Sequence, residues 1–163
     1  MVRAERRGDA DSVRDVHEAS FPSSAEAILV DLLRETDHLP VSIVATVDDV
    51  VVGHVAFSPV RVPSGASGLG LAPLAVLPEF RRRGIASALV SAGLRACAEA
   101  GWPWVAVLGD PAFYSRFGFA PASEFGLCDE YGGENAFQVV ELVEHGIPRN
   151  AGTVSYGPEF AAL

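Results

Sequence analysis

The stretch from residue 68 to residue 108 constrains the fold of this chain more than any other part. An apolar run, Gly68 to Leu77, is typical of a strand and is followed by the consecutive arginines Arg81 to Arg83. Trp104 to Leu108 is a second apolar run of strand length. Between them, apolar residues recur at helical spacing until about Gly101, namely at Ile85, Leu89, Ala92 and Ala96. A strand, a helix and a strand in this order predict a crossover between parallel strands.

The segments on either side of this unit predict further strands and helices. Two β-branched runs, Val41 to Val47 and Val50 to Val62, meet at the turn Asp48-Asp49 and predict a hairpin. Ser24 is expected to cap a helix over Ala25 to Glu35. The other expected elements are a strand at Val2 to Arg6, a helix from Asp9 or Asp11 to about Ser20, a short helix at Pro111 to Phe117, and strands at Ala136 to Val143 and Thr153 to Tyr156.

The order of these elements, β-α-α-β-β-β-α-β-α-β, predicts the fold class. A hairpin meander that leads into a strand-helix-strand unit gives an α+β fold. Its sheet should be mixed and mostly antiparallel, with one parallel crossover and with helices on both faces. The 163 residues suit one domain, residues 1–163, and no linker or internal repeat interrupts them.

Composition narrows the classes of partner. Twelve basic against 21 acidic residues give a formal charge of −9, which argues against a nucleic-acid backbone as the main partner. Cys97 and Cys128 are far apart and show no metal-ligand spacing. No apolar run reaches the ~20 residues of a membrane span, and the charged start leads into no apolar signal core. We therefore expect a cytoplasmic protein without a metal site.

The arginine turn predicts an anion site. Gly84 and Ala86 follow the turn in the first turn of the helix, where backbone N–H groups lack intrahelical partners. Gly84 would let the backbone approach a phosphate closely. Cations at this end of a helix are electrostatically unfavourable, so three arginines together call for a compensating anion. The alternative is a basic helix end that faces solvent.

These residues resemble the GNAT N-acetyltransferase superfamily, whose cofactor signature is Arg/Gln-x-x-Gly-x-Gly/Ala after a strand. Arg81-x-x-Gly84-x-Ala86 matches it, and the resemblance in element order covers nearly the whole chain. A second segment, Gly109 to Phe119, is similar to a Gly-Asp-Pro-x-Phe/Tyr-Tyr-x-Arg-Phe-Gly-Phe motif in a compact bacterial branch of predicted acetyltransferases. The stretches Val52 to Pro59 and Gln138 to Leu142 also resemble that branch.

The resemblance implies acetyl-CoA as co-substrate and an amine as acceptor, which would attack the thioester directly. In the family the strand before the turn splays from its neighbour and pairs with the pantetheine arm, here at Leu74, Ala75 and Val76. The residues implied to hold the pyrophosphate are Arg81, Arg82, Arg83, Gly84, Ile85, Ala86 and Ser87. Tyr114 is implied to protonate the departing thiolate, a role that suits a phenol with a pKa near 10. Its alternative role is packing of the short helix.

The general base is open at this stage. Some family members use a glutamate on the cofactor strand, but residues 71–77 here are all apolar. Glu26, on a helix expected to border the acceptor site, is one candidate, with a helix-dipole role as the alternative. His54, in the middle of a hairpin strand, is the other, with packing as the alternative.

A rival function uses the same fold without catalysis. The chain could be a silent acyl-CoA-binding regulatory module, since fold does not fix function. Neither the acceptor nor the acyl group can be read from the residues. The acidic region Glu124 to Asn135 would suit a cationic acceptor, but the favoured interpretation of these carboxylates is a solvated loop. Dimers are common in the resembled family, so a homodimer is an expectation.

Overall fold

The computed structural model describes residues 1–163 except for the side chain of Ala162. It contains nine strands and four α-helices, joined by short 3-10 turns. The strands are β1 (Val2–Ala4), β2 (Val41–Val47), β3 (Val50–Arg61), β4 (Ser67–Val76), β5 (Trp104–Leu108), β6 (Ala120–Pro121), β7 (Leu127–Asp129), β8 (Phe137–Glu141) and β9 (Gly152–Tyr156). The helices are α1 (Ala10–Ser20), α2 (Ala25–Glu35), α3 (Ile85–Glu99) and α4 (Pro111–Tyr114).

The main sheet has the order β1-β2-β3-β4-β5-β8-β6, and only the β4–β5 pair within it is parallel. Helix α3 makes the crossover between those two strands. The predicted α+β fold, with a mixed and mostly antiparallel sheet, is therefore confirmed. A short parallel pair, β7 with β9, lies at the periphery and joins the sheet through β3. Sequence patterns did not predict β6 and β7, which have two and three residues.

Helices cover both faces of the sheet, as expected. Helix α3 packs through Leu89, Val90 and Cys97 on one face, against Ile43 of β2 and Phe57 of β3. Helix α1 packs on the opposite face, where its core residues Val13 and Val16 meet the β2 and β3 residues Val44, Val51 and Ala56. Because side chains alternate along a strand, neighbouring residues of β2 and β3 belong to opposite cores.

Helix α2 packs on α1 and on the C-terminal 3-10 helix Pro158–Ala162. Its Leu29 and Leu33 form a separate small core with Phe160, against which Ala72 of β4 packs. Ser24 is at the N-cap, as predicted, but its side chain makes no capping hydrogen bond. The Oγ of Ser23 accepts a hydrogen bond from the Ala25 amide instead. Among the described residues, no helix combines the length and the apolar character needed to cross a bilayer.

Candidate active site

Strands β4 and β5 separate halfway along β4. They pair at three positions, from Leu69–Val105 to Leu71–Val107, and the pairing then stops although β4 continues to Val76. Beyond Leu71, β4 pairs only with β3 in the described part of the chain. The second half of β4 therefore presents one free backbone edge inside the molecule.

An irregularity in β4 lies where the two strands part. Val55 and Phe57 of β3 are two residues apart, whereas their partners Leu74 and Leu71 on β4 are three residues apart. The extra residue on β4 makes a β-bulge, which bends a strand and increases its local twist. A bend at this position accounts for the departure of β4 from β5.

The hydrogen bonds of β4 show which amides face the gap. The Leu77 N–H donates to the Val52 carbonyl of β3 at 2.8 Å. Because amide directions alternate along a strand, the N–H groups of Val76 and Leu74 point away from β3, toward the side that β5 has left. These groups can bind an extended, amide-rich ligand as an added strand would.

Two adjoining cavities follow this free edge into the arginine turn. The first, of about 240 Å³, is lined by Ser20, Phe21, Leu74, Ala75, Val76, Arg81 and Ala86. The second, of about 300 Å³, is lined by Val76, Phe80, Arg81, Arg82, Gly84, Ile85, Ala86, Ser87, Phe113 and Arg116. Together they form one cleft, and nine of the ten sequence-predicted cofactor residues line it.

The arginine turn presents backbone N–H groups to the second cavity. Gly84 has φ 78° and Arg82 has φ 64°, so the chain turns through two left-handed residues before α3 begins. The N–H groups of Ile85, Ala86 and Ser87 lie in the first turn of α3 and have no intrahelical acceptor. With the positive end of the α3 dipole, they make a site suited to a phosphate.

The three arginines of the turn have different environments. Arg81 donates from Nε to the Val76 carbonyl at 3.0 Å, which ties the turn to the end of β4. Arg82 lines the second cavity. Arg83 does not line either cavity of the cleft. Its guanidinium stacks 5.0 Å from the Phe80 ring centre and donates to the Glu79 carbonyl at 3.3 Å. The structure therefore does not bring Arg83 to the cleft.

Tyr114 is the last residue of α4, and its ring lies against Gly109, the residue after β5. It does not line either cavity of the cleft. Its ring packs edge-on against Phe113, which lines the second cavity, and against Phe119, with centroid distances of 4.9 and 5.6 Å. Only 8% of the residue is exposed. Burial raises the pKa of Tyr114 to about 12. The phenol is thus a neutral proton donor well beyond neutral pH.

Glu26 lies in the first turn of α2, three residues before Leu29. Residues three apart share a helix face, so Glu26 is on the face whose Leu29 and Leu33 pack near Ala72 of β4. Its Oε1 is shielded from solvent and has no hydrogen-bond partner among the described residues. A shielded carboxylate oxygen without a partner is costly. Glu26 is not among the residues that line the two cavities of the cleft.

His54 lies in the core under α1 and not in the cleft. It has no exposed surface, and its ring nitrogens contact His17 Nε2 and Ser42 Oγ, each at 2.8 Å. Burial, and then the nearby His17 and Arg34 charges, hold the pKa of His54 well below its ordinary value. A substrate amine cannot reach this ring, so we do not retain His54 as a base.

Five cleft residues were not predicted as site residues, and two of them, Arg116 and Ser20, carry polar side chains. Arg116 lines the second cavity, where its guanidinium stacks 4.7 Å from the Phe113 ring centre. It occupies a fixed position of the Gly109–Phe119 motif, which was the available signal. Ser20, at the end of α1, lines the first cavity, and its Oγ donates to the Val16 carbonyl at 2.6 Å. No motif marks Ser20.

Comparisons with known proteins agree with this geometry. The family model of the acetyltransferase (GNAT) family matches residues 10–119. The chain is 43% identical over 163 residues to YhbS of Escherichia coli K12, described as an uncharacterized N-acetyltransferase, and the match covers 98% of each protein.

Two solved structures extend the likeness to the fold. The crystal structure of Escherichia coli YhbS in complex with CoA has a TM-score of 0.93 at 41% identity, covering 99% of this chain and 91% of that one. A GNAT family acetyltransferase from Brucella melitensis in complex with acetyl-CoA has a TM-score of 0.81 at 34% identity. The match covers 98% of this chain and 97% of that one. The family and the enzyme class predicted from the sequence are thus confirmed: this chain belongs to the acetyltransferase (GNAT) family.

Proposed function

We propose that the protein transfers the acetyl group of acetyl-CoA to an amino group of a small molecule or peptide, by direct attack of the amine. The free edge of β4, which leads into the N-terminus of α3, carries this proposal. The edge suits the amide-rich pantetheine arm, and the turn suits the pyrophosphate. Relatives with 41% and 34% identity bind CoA and acetyl-CoA, respectively, in crystals.

The reaction needs three groups from the chain. The acceptor, an ammonium ion at neutral pH, loses a proton to the Glu26 carboxylate, directly or through one water. Its lone pair attacks the thioester carbonyl carbon, and the Val76 N–H stabilises the resulting oxyanion. The C–S bond then breaks, and the thiolate takes the proton of the Tyr114 hydroxyl. The second proton of the attacking nitrogen passes through solvent to the Tyr114 phenolate, and Glu26 returns its proton to the solvent. The products are the N-acetylated amine and CoA.

Release of the CoA thiol tests the proposal. Acetyl-CoA is mixed with polyamines, amino acids, aminoglycosides, arylalkylamines and peptide N-termini, and the products are identified by mass. We expect thiol release with an N-acetyl product for at least one amine. Binding of acetyl-CoA without release on any acceptor would instead favour the silent binding module.

Replacement of Tyr114 by Phe separates catalysis from binding. The ring that packs on Phe113 and Phe119 is kept, while the proton donor is lost. We expect kcat to fall by about 10²-fold or more, with the Kd for acetyl-CoA unchanged. An unchanged kcat at saturating acetyl-CoA would remove Tyr114 from the mechanism.

Replacement of Glu26 tests the base. Glu26→Gln keeps the size of the side chain and should lower kcat/KM by about 10²-fold, since a positioned base contributes on that order. Glu26→Asp should restore part of the rate. If the ascending limb of the pH–rate profile is the same in Glu26→Gln and in wild type, another group is the base.

A further inference from the structure

An apolar pocket begins where the cofactor cleft ends. Its volume is about 330 Å³, and it is lined by Leu71, Ala72, Leu108, Tyr131, Tyr156, Phe160 and Leu163. Leu71 is the last β4 residue that pairs with β5, and Leu108 is the last residue of β5. The pocket therefore opens at the gap between the strands, at the opposite end from the arginine turn.

Aromatic rings form one side of this pocket. Tyr156 lies between Tyr131 and Phe160, with ring-centre distances of 5.9 and 4.9 Å. Rings in this arrangement offer faces both to apolar groups and to cations. The pocket is therefore suited to a ligand with an apolar body.

Carboxylates held by backbone amides give the same pocket a negative potential. Asp129 accepts hydrogen bonds from the N–H groups of Tyr131, at 3.2 Å, and Gly133, at 2.8 Å. Glu130 accepts one from the Tyr156 N–H at 3.0 Å. Burial first, and then the charge of Asp129, raises the pKa of Tyr156, so the field of these carboxylates reaches the rings. A negative potential favours a cationic ligand and disfavours an anionic one.

The place of Tyr114 connects this pocket with the chemistry. Tyr114 packs on Gly109, the residue after Leu108, and Leu108 lines the pocket. A ligand whose body lies among Tyr131, Tyr156 and Phe160 can thus extend its amino group past Ala72 toward the gap.

We propose that this aromatic pocket binds the apolar body of an aryl- or alkylamine acceptor that carries no carboxylate. The inference rests on the proposed function and adds the substrate class. It requires that the enzyme distinguish amines by their apolar bulk and by their charge.

Three probes measure that discrimination. The probes are 2-phenylethylamine, phenylalanine, which adds a carboxylate to the same skeleton, and ethanolamine, which lacks the ring. We expect kcat/KM for 2-phenylethylamine to exceed each of the others by about tenfold or more, from burial of the ring and from repulsion of the carboxylate.

Substitutions in the pocket test whether its residues cause the differences in kcat/KM among the three probes. Tyr131→Ala should lower the 2-phenylethylamine to ethanolamine ratio of kcat/KM by about fivefold or more. Glu130→Gln keeps the acceptor for the Tyr156 amide and should reduce discrimination against phenylalanine. Val143→Ala, an exposed apolar residue outside the pocket, should leave both ratios unchanged.

The outcomes separate this inference from the proposed function. The pocket assignment would be overturned by equal kcat/KM values for 2-phenylethylamine and ethanolamine, or by a higher value for phenylalanine. Neither result would contradict acetyl transfer to amines. Unchanged ratios in Tyr131→Ala, with normal acetyl-CoA binding, would also overturn the pocket assignment. No thiol release with any amine, while acetyl-CoA binds, would overturn both.

Discussion

The ring of Tyr114 lies against the backbone of Gly109 with no room for a side chain between them. A Cβ atom at Gly109 would lie 2.5 Å from Cε2 and 3.1 Å from Cδ2 of Tyr114. The strand end after β5 and the short helix α4 therefore meet through a glycine and an aromatic ring. The absence of a side chain at residue 109 fixes where the Tyr114 ring can lie.

Gly109→Ala should therefore move the proton donor without removing it. The ring must shift to relieve a contact that Cβ atoms do not tolerate, and a misplacement of about 1 Å can cost about 10²-fold in rate. We expect kcat to fall by about 10- to 100-fold. The Kd for acetyl-CoA should change little, because neither Gly109 nor Tyr114 lines the cleft. Circular dichroism checks the fold. A normal kcat in a folded Gly109→Ala protein would contradict the proposed position of Tyr114.

Substitutions of Arg116 and Arg83 provide a test variant and a matched control for the proposed phosphate site. Arg116 lines the second cavity, whereas Arg83, whose guanidinium stacks on Phe80, does not. Arg116→Gln should weaken acetyl-CoA binding by about fivefold, equivalent to ~1 kcal/mol for an exposed charge pair. Arg83→Gln should leave the Kd within about twofold of wild type.

Titration calorimetry at low and high salt measures the Kd for acetyl-CoA in both variants. The effect of Arg116→Gln should shrink as ionic strength rises, because salt screens exposed charges. A larger loss in Arg83→Gln than in Arg116→Gln would contradict the side-chain placement described above.

Gly93 in α3 gives a prediction in which two effects oppose each other. Alanine is favoured over glycine inside a helix by about 1 kcal/mol. A Cβ at Gly93, however, would lie 2.3 Å from Cε1 of Phe57, which is fully buried on β3. Overpacking of a close-packed core costs about 1–3 kcal/mol, so crowding should win.

Denaturant unfolding shows whether Gly93→Ala raises or lowers the free energy of unfolding. Gly93→Ala should lower the free energy of unfolding, while Gly8→Ala should leave it nearly unchanged, since no described atom lies within 4 Å of a Cβ there. Stabilisation by Gly93→Ala would mean that Phe57 yields easily and that the α3 interface is loose.

The sequence predicted the strand-turn-helix unit, and most residues expected to hold the cofactor line one cleft, because both depend on local patterns. Apolar periodicity defines β4 and α3, and Gly84 lies where the backbone needs a positive φ. The side chain of Arg83 could not be placed in the same way. Arg82 has a left-handed backbone, which changes the direction of the chain after it. The sequence carries no signal that distinguishes the side-chain directions of three consecutive arginines.

The place of His54 could not be read either, for a different reason. Strand β3 is buried on both faces, so its residues from Val51 to Ser58 are all buried and show no alternation. Without alternation, the sequence does not tell whether His54 faces the cleft or α1. Residues of the aromatic pocket come from β4, β5, the loop after β7, β9 and the C-terminal turn, and only the tertiary fold brings them together.

The buried histidine pair predicts a loss of stability in mild acid. His17 has no exposed surface, and burial lowers its pKa to about 4, well below the ordinary value of 6.5. The pKa of His54 is shifted in the same direction, mainly by burial. Between pH 6.5 and 4 the unfolded chain binds protons that the folded chain does not. Both rings therefore contribute full stability above pH 6.5 and lose it as the pH falls.

For His17 the loss by pH 5 should be about 2 kcal/mol, and His54 should add to it. The carboxyl pKa values of Asp9 and Glu159 are also lowered, but they lie below 4.5, so this window reports the histidines. His17→Gln should flatten the dependence of the free energy of unfolding on pH, whereas His145→Gln, at an exposed residue, should not. A wild-type stability that is constant from pH 6.5 to pH 5 would show that the His17–His54 pair accepts protons without unfolding.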